Sequence, residues 1–348
     1  MFSSVFFRNA ILALAGCAAL SSPVAADTPG GVSTPLTLIN GWQNGPSGTA
    51  NASVYAINGI VHFKGAISTT GGDDEPFILP AQFRPAERVY VPIDACKATN
   101  ARLDILPSGD THVETEGSFS KSSCLVSLDG ATFSLSNSGF KPLKLVHGWN
   151  GYGQAYAPAT QTVDSMVTFQ GAMYTFKNND IPFTMPKADW PAATVYVKVD
   201  LCDAKNGRFE IDTDGTVYVE VENKFSAAKC FTSLDGVSYA LNGNGFTNLD
   251  LINGWENYFS SGRIASVNLV NGIVHFQGAI DTGGTNPKPF VLPAGFRPSN
   301  PVYLPVDMCD ATNGRLVIKP DGTTTVEAEK DFSSAQCFTS LEGVSFQK

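Results

Sequence analysis

Charged residues are scarce in this sequence, and basic residues are the scarcer kind. Lys and Arg number 23 against 32 Asp and Glu in 348 residues, a formal net charge of −9. The chain therefore lacks the basic surface that nucleic-acid binding requires, and we expect no nucleic-acid partner. Hydrophobic residues make up 43% of the chain, enough to bury sizeable cores, so a disordered protein is excluded too.

Histidine and catalytic motifs are also missing or rare. The whole chain has four histidines, whereas a structural zinc site needs about four ligands. We find no Gly-x-Ser-x-Gly elbow, no His-Glu-x-x-His helix and no phosphate-binding loop. The sequence predicts no catalytic residues, no metal and no cofactor, and hence a protein that is not an enzyme.

Long apolar runs are confined to the N-terminus. Arg8 precedes an apolar stretch at 10–20, and Val24-Ala25-Ala26 offers the small residues of a cleavage site. This pattern predicts a signal peptide that is cleaved after Ala26. An alternative is a lipoprotein box at 14–17, with Cys17 as the lipidated residue. No later segment approaches the ~20 apolar residues of a membrane helix, so we expect a periplasmic, secreted or cell-surface protein without a transmembrane segment.

Repetition is what the sequence has in abundance. The segment 60–67, Ile-Val-His-Phe-Lys-Gly-Ala-Ile, returns with small changes at 166–173 and at 273–280. A period of roughly 106 residues matches an independent domain and is too long for a solenoid repeat. The predicted organisation is a signal peptide (1–26), a linker (27–35), repeat 1 (36–137), repeat 2 (138–244) and repeat 3 (245–348).

Each repeat contains two cysteines at one fixed separation of 28 positions. In an exported chain this spacing indicates one disulfide per repeat. Closing a loop of that length stabilises a domain by roughly 3–4 kcal/mol on the chain-entropy model. The predicted disulfides are Cys96–Cys124, Cys202–Cys230 and Cys309–Cys337.

Apolar residues alternate with polar ones throughout each repeat, which is typical of half-buried strands. We expect Val61, Phe63, Gly65 and Ile67 on one face of a strand. A second strand has its apolar residues at 89, 91 and 93, and Pro92 places it at a sheet edge or a bulge. Asn-Gly pairs at 206–207 and 313–314 predict hairpin turns. The fold class predicted is all-β, with three tandem antiparallel β-sandwich domains that are jelly-roll-like, about seven or eight strands each.

Three short segments recur in the same order in the repeats. The first and third are Gly-Ile-Val-His-Phe-Lys-Gly at 59–65 and Ser-Leu-Asp-Gly at 127–130 in repeat 1, and the second is Leu-Pro-Ala-Gly-Phe-Arg-Pro at 292–298 in repeat 3. This order resembles a small β-domain found at the C-terminal ends of bacteriophage tail and tail-fibre proteins. The resemblance implies an adhesive β-sandwich, often trimeric, that contacts a cell-surface receptor or glycan. A signal peptide and disulfides are foreign to a virion part, so an exported bacterial relative is expected.

Repeat 2 departs from the second of these segments, because Met-Pro-Lys-Ala-Asp-Trp-Pro at 185–191 replaces the Arg-Pro turn. Trp190 stands where Arg84 and Arg297 stand in the other two repeats. This departure weakens the expectation of receptor binding for repeat 2.

Recurring carboxylates are the nearest approach to catalytic chemistry. Asp94, Asp200 and Asp307 recur two residues before the first cysteine of each pair, and Asp129, Asp235 and Glu342 recur in the Ser-Leu-Asp/Glu-Gly turn. Glycoside hydrolysis would use two such carboxylates. An Asp in a turn more commonly hydrogen-bonds its own backbone, and we favour that structural interpretation over catalysis or calcium binding.

Aromatic residues near the start of each repeat are the candidate ligand-binding residues. Exposed Trp or Tyr rings can stack on a sugar face, although a Trp that begins a sandwich strand commonly fills the core instead. Loops that vary among the repeats are the better candidates, because loops on a rigid scaffold carry function. The candidates are Trp42, Trp149, Trp255, Tyr152, Tyr156, Tyr258 and Phe259.

Together these features predict a secreted, non-catalytic, multivalent adhesion protein that recognises a surface carbohydrate or protein. Three weak sites on one chain can gain ~10²–10⁴ in avidity over one site. The alternative is a structural spacer or coat protein in which the three repeats form a single-chain pseudo-trimer. A glycan-acting hydrolase is the least favoured reading.

Overall fold

The computed structural model describes residues 33–261 and 263–348. The predicted signal peptide, its cleavage site and Cys17 lie outside the described residues. Each repeat contributes ten short strands to the described part of the chain. This is more than the seven or eight expected, because several strands are only two residues long.

In repeat 1 the strands are β1 (Thr34–Pro35), β2 (Gln43–Asn44), β3 (Ser53–Ile57), β4 (Ile60–Lys64), β5 (Ala66–Ser68), β6 (Val89–Ala95), β7 (Thr99–Ile105), β8 (Thr111–Thr115), β9 (Val126–Ser127) and β10 (Thr132–Ser134). In repeat 2 they are β11 (Lys141–Pro142), β12 (Trp149–Gly151), β13 (Ala159–Val163), β14 (Met166–Gln170), β15 (Ala172–Thr175), β16 (Val195–Asp200), β17 (Asn206–Ile211), β18 (Val217–Val221), β19 (Thr232–Ser233) and β20 (Ser238–Ala240). In repeat 3 they are β21 (Thr247–Asn248), β22 (Trp255–Asn257), β23 (Ser266–Val270), β24 (Ile273–Gln277), β25 (Ala279–Thr282), β26 (Val302–Asp307), β27 (Asn313–Ile318), β28 (Thr324–Ala328), β29 (Thr339–Ser340) and β30 (Ser345–Gln347).

Helical structure in the described residues is limited to short turns that connect strands. The α-helices are α1 (Ser226–Cys230) and α2 (Phe332–Cys337). The 3₁₀ segments are Pro46–Gly48, Ala81–Phe83, Cys96–Ala98, Phe119–Ser122, Lys187–Asp189, Cys202–Ala204, Phe259–Ser261, Ala294–Phe296 and Cys309–Ala311.

Two layers of antiparallel strands make up each repeat, and this confirms the predicted fold class. The first layer has the order β1-β3-β4-β10 in repeat 1, β11-β13-β14-β20 in repeat 2 and β21-β23-β24-β30 in repeat 3. The second layer of repeat 1 is one sheet, β2-β5-β9-β6-β7-β8. In repeats 2 and 3 it divides into two three-stranded sheets joined by a single bridge, Leu201 to Thr232 and Met308 to Thr339.

Gly65 carries the chain from one layer to the other. We expected residues 60–67 to form one strand, but β4 lies in the first layer and β5 in the second. Gly65 has φ +93°, and a Cβ there would collide with the carbonyl oxygens of Ala50 and Asn51. Only glycine fits a backbone that turns this sharply against a neighbouring strand. The apolar side chains of Val61, Phe63 and Ile67 are buried as predicted.

The Asn-Gly pairs do not form the predicted hairpin turns. Asn206 and Asn313 already begin strands β17 and β27, and the turns precede them. The residues with positive φ are Asp203 and Ala204 in repeat 2. Gly207 is needed for packing instead, because a Cβ there would meet the side chain of Leu201 and the Glu220 carbonyl.

As expected from the sequence, Pro92 lies in a part of β6 that pairs with a neighbouring strand on one side only. Strand β9 pairs with β6 only at Asp94 and Ala95, so Pro92 faces a ladder on the β7 side alone. A residue without an N–H is tolerated there.

The three predicted disulfides are present, and each one closes within its own repeat. They join Cys96 to Cys124, Cys202 to Cys230 and Cys309 to Cys337. Disulfides of this kind are typical of an oxidising compartment. They tie the turn that ends β6, β16 or β26 to the segment before β9, β19 or β29.

The face of β6 that carries Tyr90 and Asp94 is buried against the neighbouring repeats. Asp94 is fully buried and Tyr90 is 4% exposed. The reason is that the three repeats contact one another in a closed ring. Arg–Asp ion pairs join repeat 1 to 2, 2 to 3 and 3 to 1: Arg102–Asp200 (3.3 Å), Arg208–Asp307 (3.1 Å) and Arg315–Asp94 (3.1 Å).

Asparagine amides repeat the same cyclic pattern. Each donates to a backbone carbonyl in the turn after the first cysteine of the next repeat. The pairs are Asn100 to Ala204 (2.8 Å), Asn206 to Ala311 (2.7 Å) and Asn313 to Ala98 (2.5 Å). Those accepting alanines have φ between 50° and 54°, a conformation that L residues rarely adopt. The contact from a neighbouring repeat therefore stabilises a strained turn.

Lys198 breaks the threefold pattern at the centre of the ring. It occupies the position of Pro92 and Pro305, and its Nζ donates to the Oδ1 atoms of Asn206 and Asn313. Burial lowers the pKa of Lys198 to about 8, although the nearby carboxylates of Asp307 and Asp200 act in the opposite direction. A cavity of about 40 Å³ lies beside it on the axis.

Candidate functional site

A buried aromatic cluster lies at the boundary between repeats 1 and 2. Tyr90 of repeat 1 stands edge-on to Phe231 with ring centroids 4.7 Å apart, and Tyr152 lies 5.1 Å from Phe231. The guanidinium of Arg102 is 5.6 Å from the Tyr90 centroid, a favourable cation–π distance. The cluster therefore fixes the loop that carries Tyr152.

From this cluster a strip of aromatic rings runs to the surface of repeat 2. Tyr174 lies 6.4 Å from Tyr152, and Phe176 lies 5.4 Å from Tyr174. Strand β15 ends at Thr175, whose buried hydroxyl donates to the Gly148 carbonyl. Because side chains alternate along a strand, burial of Thr175 turns Tyr174 and Phe176 outward. Phe176 exposes 80% of its surface.

A cleft of about 720 Å³ adjoins this strip, and we call it the repeat-2 cleft. Its walls include Tyr152, Tyr174 and Phe176, and its polar rim includes Gln154 and Lys229. The Lys229 Nζ donates to Asn178 Oδ1 at 3.0 Å. A lysine ammonium has three donors, so two remain for a ligand. Aromatic walls with a few polar groups at the rim are typical of small-molecule sites.

Repeat 3 has a second aromatic cleft, the repeat-3 cleft, of about 470 Å³, beside the loop that corresponds to the Tyr152 loop. Tyr258 lies 4.9 Å from Phe338, which in turn lies 5.1 Å from Tyr196 of repeat 2. Phe259 follows Tyr258 and exposes 88% of its surface. Phe259 and Phe176 are the two most exposed large hydrophobic side chains among the described residues.

Repeat 1 lacks this site. Gly45 and Pro46 occupy the positions of Tyr258 and Phe259, and Leu125 stands where Phe338 stands. The described residues thus form two aromatic clefts that share the loop position of Tyr152 and Tyr258, and repeat 1 has no aromatic side chain at that position.

The three repeated tryptophans belong to the core and not to a surface site. Trp42, Trp149 and Trp255 are 3–5% exposed. Each indole N–H donates to a backbone carbonyl of the opposite loop, at Asp73, Asn179 and Asn286. Their placement corresponds to the core-packing alternative, because a ring buried on both faces offers nothing to a sugar.

Tyr156 is also unavailable to a ligand. It is 5% exposed and reaches from repeat 2 into repeat 1. Its hydroxyl donates to the Leu135 carbonyl at 2.9 Å and accepts from the Ala86 N–H at 2.8 Å. Tyr156 therefore holds two repeats together.

The recurring aspartates are buried structural groups. Burial raises the pKa of Asp94 and Asp200 to about 7 and that of Asp307 to about 6, and the paired arginines act against this rise. Each carboxylate faces an arginine of another repeat instead of a cleft. No three or more His, Cys, Asp or Glu side chains gather as ligands for a metal ion in the described part of the chain.

For the carboxylates of the Ser-Leu-Asp/Glu-Gly turn, we had favoured hydrogen bonds to their own backbone. The structure shows that they bond a different segment instead. Asp129 accepts the Gly65 N–H, Asp235 the Gly171 N–H and Glu342 the Gly278 N–H, at 2.7–2.8 Å. These bonds hold the chain where it crosses between layers. Glu342 also pairs with the buried Arg263, which contacts the Ala240 carbonyl of repeat 2 at 2.9 Å.

Trp190 performs the structural task of the arginines it replaces. Arg84 and Arg297 donate from Nε to the carbonyls of Leu79 and Leu292 at 2.8 Å. The Trp190 indole N–H donates to the corresponding Met185 carbonyl at 2.9 Å. The arginine of the Arg-Pro segment therefore stabilises a turn through one hydrogen bond. Its replacement by Trp190 in repeat 2 carries no information about receptor binding.

His62 and His275 are partly buried between repeats 1 and 3. The His62 ring stacks on Tyr55 with centroids 5.2 Å apart. Burial lowers the pKa of His62 to about 3, and the nearby His275 lowers it further. Burial also lowers the pKa of His275, to about 4.

Comparison of the chain with protein-family models, curated proteins and solved structures finds no match. Among residues 33–261 and 263–348, no helix is long and apolar enough to cross a membrane. The candidate site therefore rests on its own geometry.

Two residues of the repeat-2 cleft, Tyr174 and Phe176, were missed by reasoning from the sequence. The signal was present: two aromatic residues alternate with Thr175 at positions where the other repeats have Ser68 and Thr70, or Asp281 and Gly283. Aromatic residues at outward strand positions mark an exposed patch. Of the seven candidates, the structure brings Tyr152 to one cleft, and Tyr258, Phe259 and the edge of the buried Trp255 to the other.

Proposed function

We propose that this protein is an exported, non-catalytic binding protein that attaches to a surface carbohydrate or protein through two aromatic clefts. The observation that carries the proposal is the exposure of Phe176 (80%) and Phe259 (88%) at two aromatic clefts of one scaffold. Exposed aromatic rings of this kind are costly in water and are common at recognition sites.

Two clefts on one chain support multivalent attachment. Two linked sites can gain ~10²–10⁴ over one site when both engage the same surface. The count is two and not the three expected from the repeats, because repeat 1 has Gly45 and Pro46 at this place. The disulfides and the tail-fibre-like order of motifs support an exported adhesive role.

Retention on whole cells or on a glycan array tests the proposal. We expect the doubly substituted Phe176→Ala, Phe259→Ala chain to lose most retention while keeping its thermal midpoint. Ile78→Ala with Val291→Ala is the matched control, because both side chains are 49% exposed and lie outside the clefts. Full retention of the double Phe variant would contradict the proposal.

A second candidate function is structural, and the closed ring of Arg–Asp pairs favours it. A chain whose three repeats close on themselves is suited to a spacer or coat component. Electron microscopy of material from the native cell tests this candidate. Ordered arrays of rings would support it, and isolated rings would count against it.

A further inference from the structure

The two clefts share an aromatic base but differ in charge. Lys229 is the single charged residue among those that line the repeat-2 cleft. The repeat-3 cleft is lined by Glu256, which is exposed, and by Arg263, whose charge is balanced by Glu342 at 3.1 Å. One cleft therefore presents a positive charge to a ligand and the other a negative charge.

Local charge in the repeat-2 cleft runs against the charge of the whole chain, which is −9. The Lys229 side chain is part-buried at the end of α1 and lines the cleft, and its ammonium donates to Asn178 Oδ1 at 3.0 Å. A lysine fixed beside exposed aromatic rings suits a ligand that has an apolar face and an anionic group.

We infer that the repeat-2 cleft binds a carboxylated pyranose, the hexuronate unit of an acidic polysaccharide. The apolar face of the sugar ring stacks on Phe176 and Tyr174, and its carboxylate accepts a charge-assisted hydrogen bond from Lys229. Gln154, which also lines the cleft, supplies an amide for a ring hydroxyl. This inference rests on the proposed function and names the ligand of one of its two clefts.

Repeat 1 provides an internal comparison. Its corresponding turn, Phe119–Ser122, also carries a lysine, Lys121, but the neighbouring positions have Ser68 and Thr70 in place of Tyr174 and Phe176. Lysine without the aromatic wall gives a charge without a stacking surface. Lys121 is therefore the natural control for Lys229.

Binding of trigalacturonate and of its methyl ester to the full chain tests the inference by titration calorimetry. The two probes share the same rings and differ in charge. We expect the acid to bind about tenfold more tightly than the ester, the difference that a hydrogen bond to a charged group provides. The preference should weaken as salt rises.

Variants assign the effect to this cleft. Lys229→Gln should remove the preference for the acid and leave ester binding unchanged, and Lys229→Arg should retain the preference. Phe176→Ala should weaken both probes equally. Lys121→Gln should change neither, because Lys121 lies in repeat 1 and outside both clefts.

Each contrary result overturns a different claim. Equal binding of the two probes, or a preference that survives Lys229→Gln, overturns the hexuronate assignment and leaves the proposed function standing. Absence of binding by either probe also overturns the assignment, while retention on cells then still supports attachment. Loss of retention on every surface would overturn the proposed function itself.

Discussion

At the scale of single residues, the most informative positions are those where equivalent residues of different repeats make the same hydrogen bond with different side chains. Trp190 fastens the turn that Arg84 and Arg297 fasten elsewhere. Glu342 replaces an aspartate and acquires Arg263 as a partner. Such pairs show which feature is required: a donor at one carbonyl in the first case, and an acceptor for one glycine N–H in the second.

Gly65 is the residue whose replacement should be most costly for its size. Its φ of +93° and the crowding by the Ala50 and Asn51 carbonyls exclude a Cβ. We expect Gly65→Ala to lower the free energy of unfolding by roughly 3 kcal/mol or more. Gly59→Ala is the matched control: φ is +77° but no atom lies within 4 Å of a Cβ, so a loss of about 1 kcal/mol is expected. Equal losses in urea denaturation would contradict this account.

His62 should make the contact between repeats 1 and 3 sensitive to acid. The folded pKa, about 3, lies below the usual value near 6.5, so the folded state resists protonation. The histidine has no effect above about pH 6.5, and stability falls as the pH drops below it. We expect His62→Thr, the residue at 168 in repeat 2, to gain about 1–2 kcal/mol relative to the parent chain between pH 7.5 and 5.

Thermal midpoints at the two pH values measure this difference. His147→Asn is the control, since Asn40 and Asn253 occupy the corresponding positions and His147 is exposed. A relative gain as large in His147→Asn, or none in His62→Thr, would show that His62 is not responsible.

At the scale of elements, strands β6, β16 and β26 decide the architecture. Their inward residues fill the core of their own repeat, and their outward residues meet the other repeats. Asp94 on β6, for example, pairs with Arg315 on β27. Side chains that alternate along each of these strands thus contribute to two buried surfaces, the core of the repeat and the contact with other repeats. A strand with polar residues on one face is therefore buried on both faces.

The pair between Arg102 and Asp200 is the natural test of this arrangement. Arg102 lowers the pKa of Asp200, which burial raises to about 7. In Arg102→Met that pKa rises further, so the cost is greatest where the carboxyl must be charged and shrinks as acid protonates it. We expect about 3–5 kcal/mol lost at pH 8 and clearly less at pH 5, from urea unfolding.

Lys205→Met removes an exposed partner of Asp203, which is 82% exposed in its side chain. Exposed pairs contribute about 0–1 kcal/mol, so this control should change stability little at either pH. A loss in Arg102→Met that is independent of pH would show that Asp200 is not the group left unpaired.

At the scale of the whole molecule, the ring is closed by two kinds of boundary. The boundaries from repeat 1 to 2 and from 2 to 3 are crossed by the chain, and the linker glycines Gly139 and Gly245 lie against Gln161 and Asn268. No linker within the described residues crosses from repeat 3 to repeat 1. There, Tyr55 takes the position of Gln161 and packs with Ile57 and Ile273 in a separate apolar cluster.

Because every boundary has its own ion pair and buried contacts, the ring should survive the loss of its linkers. We expect a chain cut at protease sites inserted at 137–139 and 243–245, which are exposed, to elute at the position of the uncut chain in gel filtration. Denaturing electrophoresis should then show three fragments. Fragments that separate on dilution would mean that the repeats are independent domains held together only by their linkers.

The sequence by itself determined what depends on local pattern and on repetition. Period-two alternation defined the strands, fixed cysteine spacing defined the disulfides, and self-similarity defined three repeats. The turns at 109, 215 and 322 also lie where glycine predicted them, each with positive φ. The Asn-Gly turns were wrong because Asn206 serves a contact with another repeat, and such a contact has no signature in the neighbouring sequence.

Tertiary structure alone decided which residues are accessible. Trp42 and Tyr156 were candidate ligand contacts from the sequence, with core packing the favoured alternative for Trp42, and the structure places one inside a sandwich and the other between two of them. Phe176 is exposed because the cyclic packing of repeats covers Tyr90 and Tyr152 but ends before β15 ends. Burial depends on what lies opposite a side chain, and for Tyr156 and Tyr90 the opposite surface belongs to segments 70 and 145 residues away.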